Sequence, residues 1–100
     1  MSGGYVGIIT VELRFPEAGS LKDKRQYLRS TRAQLQKRFG ASVAETAHQD
    51  VWQRSQIVVA LAASDMSTLE QLTDGVDRYL NGQSYEVLDF ERRFVAPRDE

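Results

Sequence analysis

The chain has 100 residues, of which 41% are hydrophobic and 27% charged, with a net charge of −1, no cysteine and one histidine. This is the composition of one ordinary globular domain, and it excludes disordered, collagenous and disulfide-scaffolded classes. It also excludes thiol catalysis, cysteine-ligated zinc and a self-contained multi-histidine metal site.

Tyr5 to Phe15 reads YVGIITVELRF, with Ile9, Val11, Leu13 and Phe15 apolar at alternate positions. Period two predicts a strand with one strongly buried face, stopped by Pro16. Ser20 then opens a helix that runs to about Phe39, with Asp23 placed where a capping-box acid stands. Leu21, Leu28, Leu35 and Phe39 predict its apolar face, flanked by Tyr27 and Thr31, and Gly40 predicts its end. Ser42 to Ala47 reads as a short strand. His48 to Trp52 connects it to a longer one, roughly Arg54 to Ala63, whose Ile57, Val58, Val59 and Leu61 predict a central position. Ser64 or Asp65 caps a second helix from Met66 to Leu80, with Leu69, Leu72, Val76 and Leu80 as its stripe and Asn81-Gly82 as its stop. Gly75 inside it costs about 1 kcal/mol against alanine in propensity. Tyr85 to Val95 reads as a last strand with Leu88 and Phe90 on one face.

The order β-α-β-β-α-β with short links predicts a single ferredoxin-like α+β domain. Its sheet is antiparallel in the order 4-1-3-2, with both helices on one face. The ordered part spans about 5–95, and residues 1–4 and 96–100 are expected to be loose. The start lacks the pattern of a signal peptide, and runs such as Ile57 to Ala63 are far short of the roughly 20 residues that span a bilayer. The expected compartment is the cytoplasm, with no membrane association.

Charge is unevenly placed. Lys22 to Arg38 carries seven basic residues against Asp23 alone, whereas the second helix carries Asp65, Glu70, Asp74 and Asp77 against Arg78. Arg25, Arg29 and Arg32 are spaced four and three apart and share one helix face. With Lys22 and Lys24 they form a candidate polyanion-binding row. The acidic second helix, a neighbour on the same sheet face, offers a competing role as neutraliser. The third strand lacks the aromatics with which an RNA-recognition sheet stacks bases. Gly4-Tyr5-Val6-Gly7 precedes a strand and does not have the context of a phosphate-binding loop.

His48 with Asp50 and Glu45 is the one group resembling a catalytic cluster, since a carboxylate-held imidazole can act as a base. No nucleophile is tied to it by spacing, and a polar hairpin with His48 at its rim is the favoured account. Trp52 shares the parity of Arg54, Gln56, Val58 and Ala60. That parity either places it on the open sheet face with Val6 and Ile8 or leaves it folded over its own hairpin. Such a face is apolar enough to serve a homodimer or another partner, with Glu12, Arg14, Asp89, Glu91 and Arg93 as a polar rim. His48, Gln49, Asp50, Trp52 and Arg54 are the candidate partner-binding residues of the hairpin.

The segments VGIITVELRFPEAGSLKDKRQYLRS, FGASVAETAHQDVWQRSQIVVAL and VLDFERRF resemble the YlxP-like family of small bacterial proteins, a domain of unknown function. The resemblance runs from about Tyr5 to Phe94. Its most specific strings are Ser20-Leu21-Lys22-x-Lys24-Arg25 and Ala44-Glu45-x-x-His48-Gln49-Asp50-x-Trp52-Gln53-Arg54. Asp23 stands where the family pattern has Glu, and Ala47 where it has Asp. The resemblance implies a ferredoxin-like fold, no established enzyme activity, no catalytic residues and no cofactor. The family's gene neighbours, a translation initiation factor and ribosome-binding factor A, imply work near ribosomal RNA or a ribosome-associated protein.

Overall fold

The computed structural model describes residues 3–97 and orders them as β1 (Tyr5–Arg14), α1 (Leu21–Phe39), β2 (Ser42–Ala47), β3 (Arg54–Ala63), α2 (Met66–Asn81) and β4 (Glu86–Val95). The expectation of loose ends falls partly on residues 1–2 and 98–100, outside the described residues. The four strands form one sheet in the order β2-β3-β1-β4, which is the expected order read from the other edge. All three strand pairs are antiparallel, and the fold is ferredoxin-like α+β.

Period two in β1 and β3 produces the core directly. Ile9, Val11, Leu13, Ile57, Val59 and Leu61 are all buried on the face that Leu35 of α1 and Leu69, Val76 and Leu80 of α2 cover. Phe15 lies just past β1 and is also buried. Its ring centroid is 5.5 Å from that of Tyr27 and 5.1 Å from that of Tyr85, closing the core under the β1–α1 connection.

The helix ends follow their residues. Ser20 Oγ accepts from the Asp23 amide at 3.1 Å, and Asp23 Oδ2 accepts from the Gly19 amide at 2.9 Å. The short carboxylate thus reaches one residue further back than the capping box expected. Gly40 takes the left-handed conformation, φ 67°, that ends α1. Asp65, not Ser64, caps α2, with its Oδ1 accepting from the Thr68 amide at 2.8 Å. Gly82, at φ −90°, ends α2 without using its left-handed freedom.

Two glycines matter for packing. A Cβ on Gly7 of β1 would stand 3.2 Å from both Leu69 and Thr73, so its bareness lets α2 settle on the sheet. A Cβ on Gly75 would meet the Phe39 ring at 2.6 Å. Gly75→Ala gains about 1 kcal/mol of helix propensity but forces the ring aside, and overpacking costs about 1–3 kcal/mol. We expect net destabilisation in the natural background and stabilisation of about 1 kcal/mol beside Phe39→Ala. Urea melts of the four proteins in that cycle check it.

In β4 the expected pattern fails at one residue. Glu12 pairs with Asp89 and Leu13 with Val87, so Leu88 is an extra residue in a bulge. The bulge flips parity. Phe90, opposite Val11, packs against the core, while Leu88 is 46% exposed and does not share its face.

Candidate functional site

Lys24 is the main departure from the expected basic row. Its side chain is fully buried, at the same helical stripe as Leu28, Thr31 and Leu35. Nζ donates to Glu45 Oε2 at 2.9 Å and to the carbonyls of His48, Arg54 and Gln49 at 2.8, 3.2 and 3.3 Å. Ser55 Oγ donates to the same Glu45 oxygen at 2.7 Å. Lys24 is therefore not a surface cation. A buried ammonium is tolerable only when its donors are satisfied, and here they are spent on closing the β2–β3 loop.

The loop is built around that ammonium. His48 adopts φ 64°, a left-handed conformation uncommon outside glycine, and its carbonyl also accepts from the Val51 amide at 3.0 Å. Gln53 fastens the other end. Its carbonyl accepts from the Phe15 amide at 2.9 Å, and its side-chain amide donates to the carbonyls of Pro16 and Ala18 at 3.4 Å. Asp50, Val51, Trp52 and Gln53 line a shallow depression on the outer side of the loop. Trp52 precedes β3, so its parity with Arg54 does not extend to it. It is 52% exposed, with Val51 beside it in the chain at 43%.

Arg25, Arg29 and Arg32 are exposed and line a second shallow cleft with Leu28 and Glu45, between α1 and the sheet edge formed by β2. Lys22 is exposed one turn earlier. Among the described residues none of these four cations enters an ion pair or side-chain hydrogen bond. The ion pairs present are Arg14–Glu86, Lys24–Glu45, Arg54–Glu12 and Arg92–Asp74, and His48 Nε2 lies against Glu12. The acids of α2 thus do not pair with the basic row. Asp74 holds Arg92 of β4 at 2.6 Å, and Asp77 accepts from Asn81. Glu45, the one acid in the cleft, is already held by Lys24 and Ser55.

The group His48, Asp50 and Glu45 does not assemble. Glu45 points to the helix side of the sheet, whereas His48 Nε2 lies 3.4 Å from Glu12 Oε1. Among the described residues no three acidic or histidine side chains converge as metal ligands. Glu12 is instead the centre of a polar network on the open face, which spacing alone did not single out. Arg54 donates to its Oε1 at 3.1 Å and Gln56 to its Oε2 at 2.8 Å, and Thr46 donates to Gln56. Partial burial pushes the Glu12 carboxyl up. The hydrogen bonds from Arg54 and Gln56 and the charges of His48 and Arg54 outweigh it and hold the group below the usual carboxylate value. Arg54 Nε is buried without a partner among the described residues. Val6, Ile8, Val58 and Ala60 occupy the other end of this face, half-buried.

A bulged four-stranded antiparallel sheet with two helices on one face, a lysine-locked hairpin and an unpaired arginine row defines a small ferredoxin-like protein. Among the described residues no helix is long and apolar enough to cross a membrane. Residues 6–92 match the family described as protein of unknown function, DUF503, and the chain belongs to that family. It is 34% identical over 68 residues to the uncharacterized protein YlxP of Bacillus subtilis strain 168, covering 67% of this chain and 74% of that one. Among solved structures, the de novo designed protein Foldit4 is similar over 95% of this chain and 99% of its own. The TM-score is 0.56 at 16% identity, a likeness of fold alone.

Proposed function

We propose that this is a non-enzymatic cytoplasmic accessory protein that docks on RNA, ribosomal RNA foremost, through the outer face of α1. The observation that carries this reading is the row Arg25, Arg29 and Arg32, exposed along one cleft with no acidic partner among the described residues. Guanidinium groups suit phosphate oxygens because their donor fork matches them in pairs. Lys22 extends the row by one cation, and Lys24, buried beneath the β2–β3 loop, adds none to it. The resemblance to a family whose genes neighbour translation genes points to the ribosome as the place to look.

Co-sedimentation with purified ribosomal subunits across a salt series tests it. Four phosphate contacts predict an affinity that falls with log salt at a slope of about −3 to −4. Changing Arg25, Arg29 and Arg32 together to alanine lowers that slope by about 2–3, and changing them to glutamate abolishes binding. No binding by the natural protein at low salt would overturn the reading. The interaction surface would then be sought at the open sheet face, with Val6, Ile8, Val58 and Ala60 meeting a second copy as a homodimer.

A further inference from the structure

Trp52 is half exposed on a loop that is not slack. An indole is ordinarily among the more buried side chains, and an exposed one on a free loop lowers its energy by folding onto nearby apolar surface. Here the backbone on both sides is fixed. Lys24 holds the carbonyls of His48, Gln49 and Arg54 from below, and Gln53 is tied to Phe15, Pro16 and Ala18. A buried cation and a left-handed histidine hold the loop on which this aromatic meets solvent. The α1 turn that sends Lys24 inward to the loop sends Arg25 outward, and Arg25 to Arg32 rises about 10 Å along the helix. The loop that carries Trp52 thus packs against the α1 turn from which Arg25, the first arginine of the unpaired row, projects.

That juxtaposition separates two kinds of nucleic acid. A duplex offers phosphates to the arginines but keeps its base faces stacked. A single strand offers both phosphates and a free base face, and stacking on an aromatic is tolerant of sequence. We propose that the ligand of this face is a single-stranded RNA segment, its phosphates on Arg25, Arg29 and Arg32 and one unpaired base stacked on Trp52. The proposal rests on the polyanion reading of α1 and adds the strandedness of the ligand and the residue that selects it. Trp52 is then a specificity residue, and the arginines supply affinity without sequence.

Trp52 is the only tryptophan in the chain, so intrinsic fluorescence reports on this site alone. The full chain is titrated with three probes. These are an oligouridylate of about 12 nucleotides, an RNA duplex of about 16 base pairs, and inorganic polyphosphate, which has charge without bases. The expected result is quenching by the oligouridylate alone, with affinity about tenfold above the duplex. Trp52→Ala should erase that preference while leaving duplex and polyphosphate affinity unchanged, and Trp52→Phe should keep most of it. Equal affinity for the three probes would overturn the selection of a single strand by Trp52 while leaving the polyanion reading intact. Binding of none would overturn both, and Trp52 would then be examined as an anchor for a protein partner.

Discussion

Lys24→Met is expected to lower the free energy of unfolding by about 3–5 kcal/mol, the cost of removing one partner from a buried charge pair. The reason lies in what stays behind. Glu45 keeps its carboxylate on the helix side of the sheet with Ser55 as its remaining donor, and three backbone carbonyls lose a donor together. A buried ion pair can sometimes be exchanged for apolar side chains without loss. That exchange fails here because carbonyls of the main chain cannot be mutated away. Glu45→Gln beside Lys24→Met should therefore restore only part of the loss, and Lys24→Arg should not substitute, since a planar fork cannot occupy the place of a compact ammonium. Urea denaturation followed by Trp52 emission measures both stability and the state of the loop. A loss below about 1 kcal/mol would mean that the four acceptors find other donors and that the loop does not depend on Lys24.

Alkaline pH should expose the second strong term. Tyr85 is buried, its hydroxyl 2.6 Å from Thr31 Oγ1 and its ring against Phe15 and Tyr27. Burial pushes its phenol up to about 12; the Thr31 hydrogen bond offsets part of this and the neighbouring Tyr79 adds to it. The folded protein thus holds the proton more tightly than the unfolded chain, whose phenol titrates near pH 10. Stability from this group is complete below about pH 10 and is lost as pH rises through about 12, a fall of about 2–3 kcal/mol. Tyr85→Phe leaves Thr31 without its partner and costs about 1 kcal/mol near neutrality, but it lacks the alkaline slope. Because that fall exceeds the cost of the substitution, the stability curves of the two proteins should cross as pH climbs from about 10 toward about 12. Parallel curves from urea melts across that range would show that Tyr85 ionises as freely in the folded state as in the unfolded one.

Most of the architecture was legible because it rests on local pattern. Alternation in Tyr5–Arg14 and Arg54–Ala63 marks the two central strands, and Ser20, Gly40 and Asp65 mark helix ends. Where local pattern misled, a partner distant in sequence was responsible. Leu88 and Phe90 look like one face until the pairing with Glu12 and Leu13 inserts a bulge between them. Gly75 looks like a propensity defect until Phe39 lies across it.

The basic helix shows the same division within a few residues. Lys24 and Arg25 are adjacent and carry like charges, yet one is buried under a loop and the other lies open in a cleft. A signal was present in the spacing, since Lys24 precedes Leu28 by four residues, Thr31 by seven and Leu35 by eleven. Composition hid it, because lysine is rarely buried unless paired, and the pairing comes from Glu45 and from carbonyls that only the hairpin geometry aims inward. In Arg25, Arg29 and Arg32 the four-three spacing was enough, since helical period alone puts them on one face. Whether α2 neutralised that face depended on where Asp74 and Asp77 pointed, and they engage Arg92 and Asn81.

Strand positions, helix ends and the shared face of the arginines therefore follow from the chain read in windows of a few residues, because backbone periodicity and capping are short-range, and the strand order follows from the sequence of elements with right-handed crossovers. The burial of Lys24, the exposure of Trp52 and the network around Glu12 were decided by tertiary structure. Each depends on hydrogen bonds between segments that are neighbours only after β2, β3 and α1 have packed, and desolvation sets in only then.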